Sequence, residues 1–178
     1  MFSGAEERES YSKVPTYPDL AGKVAVVTGG SGGIGAATCQ LLAVNGVKVA
    51  VNGRDEAKIS AVVDAIQSAG GEAIGVAADC TDLAEQTEAE LGPVGIVAAF
   101  AGGGRARPGP LAQTTEEEWH STVDANLTAT FLTLKSFLPG MIERGGGSIV
   151  TMASSAARFP TGAPVPYAAA KAGVIMLT

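Results

Sequence analysis

Val24, Ala25, Val26, Val27 and Thr28 form a short β-branched apolar run that stops at Gly29-Gly30-Ser31-Gly32-Gly33-Ile34-Gly35. An alanine- and leucine-rich run over residues 36–44 follows and reads as a helix. Strand, glycine turn and helix in this order make the unit that binds a nucleotide diphosphate. Glycines let the backbone turn with positive φ and approach a pyrophosphate closely. The helix start offers N–H groups and the positive end of its dipole to the anion. Such a turn alone also serves as a plain strand–helix connection, so the rest of the chain decides.

The pattern repeats downstream. Apolar runs at 47–51, 73–78, 94–101 and 148–152 read as strands. Helical stretches lie at 55–69, with Asp55 as its N-cap, and at 83–91. A long helix begins after Thr115 with the acidic turn Glu116, Glu117 and Glu118 and continues through Trp119 and Phe131 in one or two pieces. A last helix covers 166–178. Nearly uniform apolar strands alternating with helices predict an α/β fold with a doubly wound parallel sheet, whose ligands lie at the carboxyl ends of the strands. We assign residues 22–178 to one nucleotide-binding domain. Residues 1–21, polar and carrying Pro15 and Pro18, form a mobile or loosely docked extension without the apolar core of a signal peptide.

Composition narrows the partners. Hydrophobic residues make up 46% and charged residues 17% of the 178, the balance of a globular chain. The net charge of -6 argues against nucleic acid, and no apolar run reaches the length of a membrane span. Cys39 and Cys80 have neither metal spacing nor a disulfide framework. They read as packing residues of a cytoplasmic protein, with no metal site.

The chemistry concentrates near the end. Tyr167 and Lys171 are four apart and share a helix face. An ammonium close to a phenol favours the phenolate, so a tyrosine placed in this way can exchange a proton with a carbonyl or alcohol oxygen. Ser154, thirteen positions earlier and just past a strand, has a hydroxyl suited to the same oxygen; Ser155 competes for that role. Asn126 is a poor helix-interior residue in a helical stretch, which points to a specific role. Arg54 follows the second strand and no acid comes before Asp55. A guanidinium there suits a 2′-phosphate, so NADP is expected rather than NAD.

Thr28-Gly29-x-x-x-Gly33-Ile34-Gly35 together with Tyr167-x-x-x-Lys171 resembles the short-chain dehydrogenase/reductase family. The resemblance runs from about Gly22 to Thr178. It implies a Rossmann-like fold and hydride transfer between NAD(P) and a small-molecule carbonyl or secondary alcohol, with a lean towards 3-oxoacyl thioesters. It maps the catalytic set onto Asn126, Ser154, Tyr167 and Lys171, with Asn126 at a helix kink. It maps cofactor contacts onto Gly29, Ser31, Gly33, Ile34, Gly35, Arg54, Asp79, Cys80, Gly102, Tyr167 and Lys171. It also implies a homo-oligomer, dimer or tetramer, formed through the last helix.

Three departures from the family pattern stand out. Ala99-Phe100-Ala101-Gly102 stands where the family carries Asn-Asn-Ala-Gly, so the amides that tie neighbouring strands are gone and a bulky ring lies near the cofactor. The helix after Asp79 looks about two turns short. Thr178 falls inside the helix of Tyr167 and Lys171, where family members continue with another strand, a covering loop and a final strand. The last strands of the fold are therefore expected to be missing, with most substrate-choosing residues. The rival expectation is a non-catalytic nucleotide-binding or structural remnant.

Overall fold

A computed structural model describes residues 15–78, 80–159 and 162–178, with the side chains of Cys80 and Thr81 outside that description. Five strands form one parallel sheet: β1 Val24–Thr28, β2 Lys48–Asn52, β3 Ala73–Val76, β4 Val94–Ala99 and β5 Ser148–Thr151, in the order β3-β2-β1-β4-β5. The order reverses between β1 and β4, which opens a crevice above the carboxyl end of β1. The last residues of the strands line up there: Thr28 lies opposite Ala99, and Ala99 opposite Thr151.

Every residue of β1 is buried, because the strand is paired on both edges and covered on both faces. Its side chains alternate between two cores. Ala25 and Val27 pack with Val49, Val51 and Ala98 beneath helices α1 (Gly33–Val44) and α2 (Glu56–Ser68), which contribute Cys39, Ile59, Val62 and Ile66. Val24 and Val26 pack with Ala50, Val76 and Val97 beneath α3 (Cys80–Leu91) and α5 (Ala129–Glu143), which contribute Leu83, Leu91, Leu134, Phe137 and Met141. Each fully buried valine contributes about 1.5–3 kcal/mol relative to exposure. Between β4 and α5 lies α4 (Glu116–Val123), opened by Thr115 and Glu118 in a reciprocal capping box. α4 passes into α5 through one π-helical turn, Asp124–Thr128. The last helix, α6 (Val165–Leu177), packs on α4, on the π turn and on the short turn Ser155–Ala157.

Several boundaries differ from the sequence reading, each for a physical reason. α1 starts at Gly33, inside the glycine turn, and α3 starts at Cys80, a turn ahead of the expected 83. First-turn residues make no intrahelical N–H bond, so poor helix formers are tolerated there. With Leu83 and Leu91 both in the core, α3 covers its face of the sheet in spite of its length. β4 ends at Ala99 and not at 101, because the amides of Phe100 and Ala101 turn to the Thr28 hydroxyl, both at 3.1 Å. β3 ends at Val76 and not at 78; the Asn52 amide then collects the carbonyls of Val76 and Ala78, at 2.9 and 3.0 Å.

The described part of the extension is docked. The Tyr17 amide donates to Asn45 Oδ1 at 2.7 Å, that of Gly22 donates to the Gly46 carbonyl at 2.9 Å, and Leu20 packs against the α1–α2 core. Residues 1–14 lie outside the described residues.

Candidate active site

The glycine turn sits at the carboxyl end of β1, and its shape depends on absent side chains. Gly29 has φ +68°, and a Cβ there would stand 3.0 Å from the Phe100 carbonyl oxygen. A Cβ on Gly35 would run into the Gly29 carbonyl. The Gly30 amide donates to the Asn52 carbonyl at 2.8 Å, which ties the turn to β2. Beneath it lies the fully buried Cys39 thiol, 3.9 Å from the Gly30 carbonyl and pushed up to about 12 by burial. It is therefore a packing group and not a nucleophile. On the outer side, Gly32 and Gly33 face open space, and no side chain caps α1. The first-turn N–H groups, with Ile34 exposed among them, are left for an external acceptor.

At the neighbouring end of β2, Gly53 lies against Ser31. A Cβ on Gly53 would stand 2.6 Å from the Ser31 hydroxyl oxygen, so the two turns touch. Arg54 follows and is exposed. Asp55 is engaged elsewhere: it accepts from the Lys58 amide at 3.2 Å and pairs with Lys58 Nζ at 3.2 Å. The Lys58 amide, first among these contacts, holds its carboxyl below the usual carboxylate range. Asp79 lies outside the described residues; Cys80 opens α3, with its side chain outside them.

On the other side of the crevice, four elements meet. Asn126 is fully buried in the π turn. Its Nδ2 donates to the Gly103 carbonyl at 2.6 Å and to the Thr122 carbonyl at 2.8 Å, and its own carbonyl accepts from the Thr130 hydroxyl at 2.7 Å. Its Oδ1 is buried without a partner. That oxygen borders the space left by Gly102: a Cβ there would stand 3.0 Å from Asn126 Oδ1 and 3.7 Å from Lys171 Nζ. Lys171, 3% exposed, donates to the Met152 carbonyl at 2.7 Å, just past β5. Burial lowers its pKa from the ordinary lysine value. Its ammonium lies 5.7 Å from the centroid of the half-buried Tyr167 ring, one helical turn away. Ser154 opens the turn that packs on α6, and its Oγ accepts from the Ala156 amide at 3.2 Å. It is half-buried, whereas Ser155 is exposed.

Gly102, Asn126 and Lys171 are thus brought together around one orphaned acceptor. Two residues hold the site in roles that the sequence reading did not give them. The Thr28 hydroxyl bridges β1 to the backbone after β4. Asn52 does the same between β2 and β3. A polar residue ending an apolar strand was the available signal for both. Phe100, expected near the cofactor, packs against the α1–α2 core.

The sequence and the fold match a known family. The short chain dehydrogenase model matches residues 23–178. A short chain dehydrogenase of Pseudocercospora fijiensis is 39% identical over 163 residues, 87% of this chain and 52% of that protein. A 3-oxoacyl acyl-carrier-protein reductase of Chlamydia pneumoniae is 33% identical over 165 residues, 89% of this chain and 66% of that protein. A metagenomic short-chain oxidoreductase solved in complex with NADP superposes with a TM-score of 0.83 at 36% identity, over 89% of this chain and 74% of that one. A 7α-hydroxysteroid dehydrogenase solved with NADH and 7-oxo glycochenodeoxycholic acid superposes at 0.82 and 31% identity, over 89% of this chain and 63% of that one. The chain belongs to the short-chain dehydrogenase family. It spans about half to two thirds of the length of the curated relatives cited here.

Proposed function

We propose that the protein is an NADP-dependent oxidoreductase that moves hydride between a nicotinamide and a carbonyl or secondary alcohol. The observation that carries this reading is the meeting of Gly102, Asn126 Oδ1 and Lys171 Nζ beside Tyr167, across the crevice from the glycine turn. The residues fit the cofactor. The cradle at Gly32 and Gly33 is open, the turn has no room for side chains at Gly29 and Gly35, and the orphaned Asn126 oxygen faces the Gly102 gap.

In this reading the α1 N-terminus, with Gly29, Gly33, Ile34 and Gly35, holds the pyrophosphate. Ser31 and Arg54 hold the 2′-phosphate end, Asp79 and Cys80 the adenine side, and Lys171 the nicotinamide ribose. A nicotinamide held there would supply or accept the hydride. Tyr167 gives its phenolic proton to the substrate oxygen during reduction and takes it back during oxidation. The Ser154 hydroxyl donates to the same oxygen as charge develops on it. The buried Lys171 ammonium beside the ring supports the proton's departure, and Asn126 Oδ1 supplies the acceptor that links Lys171 to a proton path.

The narrower reading of a 3-oxoacyl thioester reductase is supported by the Chlamydia relative. We infer a homo-oligomer from membership of the family. Tyr167→Phe in the whole protein tests the reading. The variant should bind NADPH as before and lose turnover of a ketone by at least about a hundredfold, since only the proton donor is removed. Turnover at the parental rate would overturn the assignment.

A further inference from the structure

We propose that Thr122 is a positioning residue: its hydroxyl latches the loop after β4 onto α4 and, through that loop, fixes the side-chain amide of Asn126. The proposal rests on the reading of Asn126 as part of the proton path.

Thr122 is only 2% exposed, on the last turn of α4. Three backbone points of the loop close on it or on its neighbour one helical turn later. The Ala106 amide donates to Thr122 Oγ1 at 3.3 Å. Gly104, with φ +124°, lies flat against it: a Cβ there would stand 2.5 Å from Thr122 Oγ1 and 2.8 Å from its Cα. The Gly103 carbonyl accepts from Asn126 Nδ2, which also donates to the Thr122 carbonyl. The exposed Arg105–Glu117 pair, 2.9 Å apart, adds little across a solvated surface. The buried hydroxyl is the firm end of the latch.

The consequence reaches Asn126 through its two acceptors. An amide whose NH2 faces two carbonyls has its orientation set, and its oxygen must point the other way. Here that way is the Gly102 gap beside Lys171 Nζ. If the loop lifts, the Gly103 carbonyl leaves and the amide is held by the Thr122 carbonyl alone. The hydroxyl at 122 therefore steadies the acceptor that faces the Gly102 gap beside Lys171.

Two substitutions separate hydroxyl from bulk. Thr122→Val keeps the shape and removes the oxygen; Thr122→Ser keeps the oxygen and removes the methyl. Amide exchange in the isotope-labelled chain is followed by NMR. In Thr122→Val the Ala106 amide should exchange about tenfold faster, and the protected Asn126 side-chain amide protons should lose protection. Thr122→Ser should stay near the parent, and the core amides of Val26 and Val97 should be unchanged in both. Unchanged Ala106 exchange in Thr122→Val overturns the proposal. So does Thr122→Ser exchanging as fast as Thr122→Val, or faster exchange spread through the core.

In the whole protein, with NADPH and a small β-keto ester, Thr122→Val should lower kcat while KM for NADPH holds, and Thr122→Ser should restore it. An unchanged kcat overturns the link to Asn126. Failure of the unmutated protein to turn over would count against the proposed activity, while the exchange result still decides the latch.

Discussion

Lys171 shows how one residue carries both a cost and a use. Burial disfavours its charged form, and the folded-state pKa falls below the ordinary 10.5. As pH drops, the unfolded chain takes up this proton first. The cost to stability is therefore fully present below the lowered value and fades as pH rises from it towards 10.5. The stability of the parent relative to Lys171→Met should rise across that window, measured by urea denaturation at stepped pH; a flat difference would contradict the burial assignment. Thr28→Val removes the acceptor of two amides, Phe100 and Ala101, and should cost about 2 kcal/mol by the same method. In nucleotide titrations Arg54→Ala should narrow the preference for NADPH over NADH by about 1.5–3 kcal/mol; equal affinities in the parent would remove the basis for choosing NADP. The sequence points to Tyr167, Lys171 and Asn126 because their signals are local, a spacing or a residue out of place. Thr28 and Thr122 are not legible in the same way, since each acts on a backbone far along the chain that only the strand order brings near.

At the scale of elements, local chemistry was readable where a motif closes on itself. The Thr115–Glu118 capping box opens α4 where the acidic turn suggested, and Thr115→Ala should cost about 1 kcal/mol in thermal or urea unfolding. The π turn at 124–128 is where the out-of-place asparagine lies. π bulges are rare and concentrate at functional positions, because the extra residue re-aims a side chain. The widths of β3 and β4 could not be read, because Asn52 and Thr28 end the pairing from the neighbouring strand. The early starts of α1 and α3 were missed because propensity says little about a first turn.

The whole molecule follows from alternation. Apolar strands separated by helices leave right-handed crossovers on both faces, and the order β3-β2-β1-β4-β5 puts the crevice at the glycine turn. Both cores close around β1, while Val150 on β5 is 53% exposed and the end of α6 presents Met176. In the 178-residue chain made alone, these surfaces should drive self-association, visible as a concentration-dependent elution volume in size-exclusion chromatography; a monomer at all concentrations would show that they need no cover. The proposed activity joins the two halves of the crevice, the glycine turn and the Tyr167–Lys171 side, and hydride transfer tests it most directly. The whole protein should be given NADPH deuterated at the reactive nicotinamide carbon, with a small β-keto ester, and the product examined by mass spectrometry. The account predicts deuterium on the carbinol carbon of the alcohol from the unmutated protein and almost none from Tyr167→Phe. NADPH binding without any label in the product, or equal labelling by the two proteins, would contradict it.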